Sequence, residues 1–219
     1  MQKRPFIIAF SGGSGSGKTY LSQAVVASLR ESASLFSYDA YYKDTPGLGL
    51  EERKRLNYDD PRMLDAALFL SHLEALERGE SIALPQYDCP HYRRKEQTIP
   101  FHPQDIVIID GIMTLQDARF LPHYQLAIYV DADADVRLSR RIRRDMAERG
   151  RTLDSILDQY MSQVKPMHER YIEPSKSKAD LVFSNNRLAG LDQKEFAALV
   201  EEIEARYASF RRSQQRNGK

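Results

Sequence analysis

The chain has 219 residues, enough for one well-buried α/β domain with a modest insert and too few for two comfortable independent domains. Its 32 basic and 31 acidic residues nearly cancel, so no global field recruits nucleic acid, and small anionic ligands suit its local clusters of charge better. A single cysteine, Cys89, excludes an internal disulfide, and no stretch reaches the roughly 20 apolar residues of a membrane span; the expectation is a soluble, cytoplasmic protein with no membrane or nucleic-acid partner.

In chain order, Phe6 to Phe10 predicts a buried strand. Directly after it, Gly12-Gly13-Ser14-Gly15-Ser16-Gly17-Lys18-Thr19 fits the phosphate-binding pattern G-x-x-x-x-G-K-[ST] at every required position. Leu21, Val25, Val26 and Leu29 then fall at helical spacing, which completes the strand, loop and helix order and separates the motif from a plain Gly/Ser-rich turn. In such a loop the backbone N–H groups and the helix N-terminus cradle phosphates, Lys18 reaches the outer ones, and the Thr19 hydroxyl can ligate Mg²⁺.

Leu35 to Tyr38 predicts a second strand with Asp39 at its carboxyl end. A helix is expected from Pro61, suited to a first turn, to Arg78, with Gly79 at its exit. Pro85, Pro90 and Pro100 argue against helix over Ser81 to Phe101 and predict a small hairpin-like insert, whose Tyr87, Asp88, His91, Tyr92, Arg93 and Arg94 could grip a planar polar ring. Ile106 to Ile109 and Leu126 to Val130 are apolar runs of the kind found in strands covered on both faces, ending in Asp110 and Asp131. Helices follow over Ala134 to Glu148 and Thr152 to about Tyr171, then a short strand, Leu181 to Phe183, and a last helix capped by Asp192 with Glu195. Its apolar stripe is Phe196, Leu199, Val200, Ile203 and Tyr207, and the basic tail from Ala208 is expected to fray. The fold class is therefore α/β: a doubly wound, mostly parallel sheet with its ligand crevice at the strands' carboxyl ends.

Asp39, Asp110 and Asp131 end three different strands and so lie near that rim. Phosphoryl transfer needs a metal ion and a carboxylate to orient or deprotonate the attacking hydroxyl, so Asp110 is the natural metal carboxylate and Asp39 the candidate base. Asp131, followed by Asp133 and Asp135, reads instead as a helix entry. Five arginines lie between Arg137 and Arg144, and helical geometry groups Arg137, Arg141 and Arg144 on one face against Leu138, Ile142 and Met146 on another. The expectation is that the apolar side packs and the cationic side, extended by Arg149, the Gly150 joint and Arg151, forms a lid over phosphates; a solvated helix face is the alternative. Asp59 could cap a turn or accept hydrogen bonds from vicinal hydroxyls.

These motifs together resemble the uridine kinase (uridine/cytidine kinase) family, within the phosphate-loop kinases that include phosphoribulokinase. The landmarks are GGSGSGKT at Gly12, YDAYYKD at Tyr38, NYDDP at Asn57, LPQYDCPHYRRKE at Leu84, VIIDGI at Val107, VDADADVRLSRRIRRDMAERGR at Val130 and QYMSQVKPMHERYIEPSKSKAD at Gln159. The resemblance implies Mg²⁺-dependent phosphorylation of a pyrimidine nucleoside, uridine or cytidine, at its 5′-hydroxyl by ATP or GTP, and a homo-oligomer, commonly a tetramer. It implies a single kinase domain over 1–219, with its core at about 5–80 and 104–207, a nucleoside-binding insert at about 81–103 and a lid at about 141–165. By matching positions it implies Asp39 as base, with Asp39 also near the metal site of Thr19 and Asp110. Asp59 matches the ribose contact, Tyr87 and His91 the base contacts, Arg141, Arg151 and Gln159 further nucleoside contacts, and Arg144 and Arg149, with Lys18, groups at the transferred phosphate. The chain departs from the family pattern at Asp110, where Glu is usual, at Cys89 and Asp60, and at Ser184-Asn-Asn-Arg187, which has no glycine. A kinase for another small alcohol, or a nucleotide-binding regulatory module, are the competing readings.

Overall fold

Alternation of apolar strands with amphipathic helices produces one sheet between two helical layers. The computed structural model describes residues 3–29 and 32–217. The elements are β1 (Phe6–Ser11), α1 (Lys18–Leu29), β2 (Ala33–Ser37), α2 (Leu50–Lys54), α3 (Ala66–Glu77), β3 (Ile82–Leu84), β4 (Tyr87–Asp88), β5 (Arg93–Arg94), β6 (Ile99–Phe101), β7 (Ile106–Asp110), β8 (Leu126–Asp131), α4 (Ala134–Arg149), α5 (Leu153–Gln159), α6 (Lys165–Met167), β9 (Leu181–Ser184) and α7 (Gln193–Asn217). Five strands form a parallel sheet in the order β2-β7-β1-β8-β9. Its register sets Phe10 beside Asp110 and Asp110 beside Ser37. The chain leaves β1 toward one edge and crosses to the other side between β7 and β8, so the loop after β1 occupies the switch point where such sheets bind ligands.

Side chains alternate across the sheet with period two. On one face Ile7, Val107, Ile109 and Tyr129 pack against Phe69, Leu73 and Leu76 of α3; on the other Phe6, Ile8, Phe10, Ile108 and Ile128 meet Leu21 and Val25 of α1 and Leu199 and Ile203 of α7. Burial of each such aliphatic side chain is worth about 1.5–3 kcal/mol.

Several boundaries differ from the sequence expectation. Tyr38 is outside β2: the Ser37 hydroxyl accepts from the Asp39 backbone N–H at 3.2 Å and turns Tyr38–Tyr41 into a 3₁₀ turn. The helix expected from Pro61 is broken, because Leu64 is extended and Asp65 caps a fresh start at α3 by accepting from the Leu68 N–H at 3.2 Å. The insert holds two antiparallel pairs, β3 with β6 and β4 with β5. The helix expected over Thr152 to Tyr171 is α only in part: π turns at Tyr160–Val164 and His168–Ile172 flank α6. Pro166 has no N–H and crowds the preceding turn, which a wider π turn relieves. α7 does not stop at Tyr207. The Tyr207 hydroxyl donates to Asp105 Oδ2 at 2.8 Å and the Phe210 ring meets Phe6 edge-on at 5.4 Å, so the tail is helical to Asn217.

The faces of α4 are the reverse of those expected. Arg137 and Arg141 are each 6 % exposed, whereas Met146 is 50 % exposed and Leu138 and Ile142 are only half-buried. The helix lies across the phosphate-binding loop rather than against an apolar core, and guanidinium groups satisfy carbonyls there: Arg140 donates to Gly15 O and Ser16 O, and Arg137 Nε donates to Ala132 O, just before the helix, at 3.0 Å.

Candidate active site

The loop from Gly12 to Gly17 turns β1 into α1, and two of its glycines are required by close backbone approach. Gly12 has φ +143° and a Cβ there would lie 2.4 Å from Val130 O; Gly15 has φ +84° and a Cβ would lie 2.3 Å from Arg137 O. The loop is thus clamped between β8 and α4. Arg140 adds a second clamp, donating from NH1 to Gly15 O at 3.1 Å and Ser16 O at 3.0 Å, and from NH2 to Asn185 O at 2.9 Å and to Arg187 O. Asn185, 4 % exposed, donates from its side-chain amide to Ser16 O at 2.9 Å. The glycine-free segment after β9 is therefore tied to the phosphate loop. Behind Gly13 stands His168, 6 % exposed, with Nε2 3.0 Å from Glu173 Oε2 and Nδ1 without a partner. Burial lowers its pKa, and Arg137 lowers it further.

At the mouth of the loop the Thr19 hydroxyl donates to Asp110 Oδ2 at 2.6 Å. Asp110 is 4 % exposed and its Oδ1 has no hydrogen-bond partner. A buried, orphaned carboxylate oxygen beside a hydroxyl is a fitting donor set for a small hard cation. No group of three or more His, Cys, Asp or Glu side chains surrounds it among the described residues, which suits Mg²⁺, an ion that keeps several waters. Lys18 is half-buried and forms no ion pair among the described residues.

Asp39 shares this environment. Burial pushes its carboxyl up to about 6, opposed by Lys18, reinforced by Asp110 and Asp59, and opposed again by Arg149. These groups form one electrostatic cluster. The Asp59 carboxyl is likewise raised by burial, against the pull of Arg141, Lys18 and Arg144. Arg141 bridges the two sides: NH1 donates to Ser14 Oγ at 2.9 Å and NH2 to Gln159 Oε1 at 2.8 Å, an oxygen that Arg151 also reaches. Arg144 and Arg149 gather at the same end of α4 around Asp145.

The insert contributes an aromatic wall. Tyr42 lies 5.3 Å from Tyr58 and 5.2 Å from Tyr87, and Tyr58 lies 5.2 Å from Tyr92. Tyr87 thus joins this wall, whereas His91 stands apart from it: its side chain is 69 % exposed and its Nδ1 is 2.9 Å from Asp88 Oδ2 at the insert's tip. Arg94 leaves the candidate ring-gripping set, because it donates to Asp65 Oδ2 at 3.1 Å and Tyr41 O at 2.8 Å and so braces the insert. Asp131 accepts from Lys176 Nζ at 2.6 Å and stands outside the site. Cys89 is exposed.

The sequence profile of the Phosphoribulokinase / Uridine kinase family matches residues 7–189, a span that contains the loop, both rim aspartates and the arginines of α4. The chain belongs to this family. A uridine kinase of Streptococcus thermophilus is 42 % identical over 207 residues, covering 92 % of this chain and 98 % of that protein. A uridine kinase of Listeria innocua is 43 % identical over 183 residues, covering 83 % and 88 %. Among solved structures, phosphoribulokinase from Rhodobacter spheroides superposes with a TM-score of 0.64 at 15 % identity, covering 83 % of this chain and 70 % of that one. D-glycerate 3-kinase from Cryptococcus neoformans superposes with a TM-score of 0.58 at 16 % identity, covering 79 % and 80 %. At these identities the family's common fold is what the superpositions establish.

Four groups around the phosphate loop and the arginine cluster escaped the sequence reading. Asp145 and Arg140 are hidden among the charges of α4, Asn185 lies in a loop without a motif, and His168 lies in a π turn. The run of tyrosines at 38, 41, 42 and 58 was a visible signal for the aromatic wall, but only the fold says which rings face it.

Proposed function

We propose that this protein transfers the γ-phosphoryl group of ATP or GTP to the 5′-hydroxyl of uridine or cytidine, giving UMP or CMP for pyrimidine salvage in the cytoplasm. The observation that carries the proposal is the grouping of Asp39, with its raised pKa, beside Lys18 and the Thr19–Asp110 pair at the end of a phosphate-binding loop. The names of relatives above 40 % identity supply the acceptor class.

In this reading Gly12, Gly13, Ser14, Gly15, Ser16 and Gly17 present backbone N–H groups to the triphosphate, and Lys18 neutralises its outer oxygens. Asp39 accepts the proton of the 5′-hydroxyl as that oxygen attacks the γ-phosphorus in line; a base titrating near 6 is mostly ionised at neutral pH yet still basic enough to take a proton. Arg144 and Arg149 face the transferring phosphoryl group, where charge accumulates. Asp59 accepts from the ribose hydroxyls, Arg141, Arg151 and Gln159 complete the nucleoside side, and Tyr87 addresses the base, while His91 stays paired with Asp88 at the insert's tip. Thr19 and Asp110, with Asp39 nearby, would hold Mg²⁺. When bound, that ion would supply positive charge to offset the negative charge of the phosphates. The arginine-rich end of α4 with α5 acts as a lid that keeps water from the phosphoryl group. Self-association, as a homotetramer, is part of the same proposal.

A second reading, a different small alcohol as acceptor, is favoured by one observation: the exposed His91 paired with Asp88 leaves the base side open beside Cys89. ADP release across uridine, cytidine, other nucleosides and ribulose 5-phosphate, with products identified by mass, separates the two. Formation of UMP or CMP is expected; turnover of another alcohol alone would overturn the pyrimidine assignment.

A further inference from the structure

Asp145 is fully buried, and four arginines surround its carboxylate. Oδ1 accepts from Arg144, at 2.9 Å from Nε and 2.8 Å from NH2, and lies 3.4 Å from Arg149 NH1. Oδ2 faces Arg141 Nε at 3.6 Å and Arg151 NH1 at 3.8 Å and makes no hydrogen bond. The two oxygens thus divide the arginines into the pair assigned to the transferred phosphoryl group and the pair that shares Gln159 on the nucleoside side.

The chain is built to make this convergence. Asp145 lies four residues after Arg141 and four before Arg149, so all three fall on one side of α4. Arg151 lies beyond the helix, and it returns because Gly150 is left-handed (φ 60°). The N–H groups of Gly150 and Arg151 both donate to the Asp145 backbone oxygen, the latter at 3.1 Å. Side chain and backbone of one residue therefore hold the whole cluster. Four guanidinium groups within 4 Å of one carboxylate repel one another, and a single negative charge offsets only part of that repulsion. The surplus positive charge is available to a polyphosphate, and Arg141 carries it to the loop through Ser14.

We infer that Asp145 is the positioning residue that holds Arg141, Arg144, Arg149 and Arg151 in their working arrangement before the nucleotide binds. The inference rests on the kinase reading for the roles of those arginines. It makes an unusual demand, because removing the charge while keeping the shape should separate anion binding from transfer. In Asp145→Asn the site is more cationic, so tripolyphosphate binding, measured by calorimetry, should be unchanged or tighter. Arg144 and Arg149, released from their shared oxygen, are misplaced, and kcat should fall at least about tenfold, since a 1 Å displacement can cost on the order of 100-fold. A residue that merely stabilises the fold would weaken both together.

Asp145→Glu keeps the charge and moves it by one methylene; it should bind tripolyphosphate as the wild type does and turn over more slowly. It carries the test if the Asn variant does not fold. A kcat within twofold of wild type in the folded variant, or a parallel loss of kcat and tripolyphosphate affinity, overturns the inference. Wild-type turnover of uridine is measured alongside. Its absence would sink the acceptor reading, while weakened tripolyphosphate binding in a folded variant would still overturn the role of Asp145.

Discussion

Thr19 and Asp110, 91 residues apart, meet through a 2.6 Å hydrogen bond that joins the first turn of α1 to the carboxyl end of β7. The contact leaves Asp110 Oδ1 buried and without a hydrogen-bond partner, the oxygen that the proposed reading turns toward Mg²⁺. Asp110→Asn removes the carboxylate's negative charge with little change in size. The Mg²⁺ concentration for half-maximal turnover should rise by about 10–100-fold, the usual cost of disturbing a metal site's supporting groups. A Mg²⁺ titration of the variant checks this, and an unmoved midpoint would remove Asp110 from the ion.

Asp39 predicts a pH profile. Only its ionised form can take a proton, and burial pushes its carboxyl from 3.8 up to about 6, so kcat/KM should fall as pH drops through about 6. Asp39→Asn should lower kcat by about 10²–10⁴-fold and leave nucleotide affinity within a few-fold. The same shift bears on stability with the opposite preference. Because the folded pKa lies above the unfolded one, this group's contribution is full below about 3.8 and is lost as pH rises through about 6. Thermal unfolding of Asp39→Asn should therefore exceed wild type at pH 8, with the difference shrinking toward pH 5. A wild-type profile flat down to pH 5 would count against the base assignment.

The clamp of Arg140 and Asn185 on the carbonyls of Gly15 and Ser16 predicts a different signature. Arg140→Met removes charge-assisted bonds each worth about 1.5–3 kcal/mol, and the loop it leaves behind is less ordered. KM for the nucleotide should rise about tenfold or more with kcat little changed, since none of these bonds reaches the transferring group. Steady-state kinetics on Arg140→Met, Asn185→Ala and the double variant measure the effect; additive losses would show that the two residues act separately.

The parts of this site that the sequence discloses are those set by local chemistry. The phosphate loop is an uninterrupted motif, and Asp39 and Asp110 follow apolar runs whose ends fix where a carboxylate must stand. The insert was marked by its prolines. What escaped was set by distant neighbours. The apolar stripe of α4 suggests a core contact, but the partner is a loop rich in carbonyls and hydroxyls, so Arg137 and Arg141 turn inward and Met146 turns out. Asn185 meets Ser16 across 169 residues of chain, a separation no spacing rule detects. Asp65 ended the first turn after Pro61 by offering its carboxylate to a new helix, a local signal overlooked beside the proline.

The central place of β1 also governs how the protein comes into being. Both its neighbours, β7 and β8, are made about 95 residues or more after it, with Ile7 paired to Val107 and Ile8 to Leu126. While the ribosome builds the intervening helices, the strand Phe6–Ser11 has no ladder partner and its five apolar residues have no layer to enter. Folding must close loops of that length before nucleotide can bind, which places this chain among the slower topologies. The nascent segment that carries the phosphate loop is, until then, without the strands that flank it in the sheet.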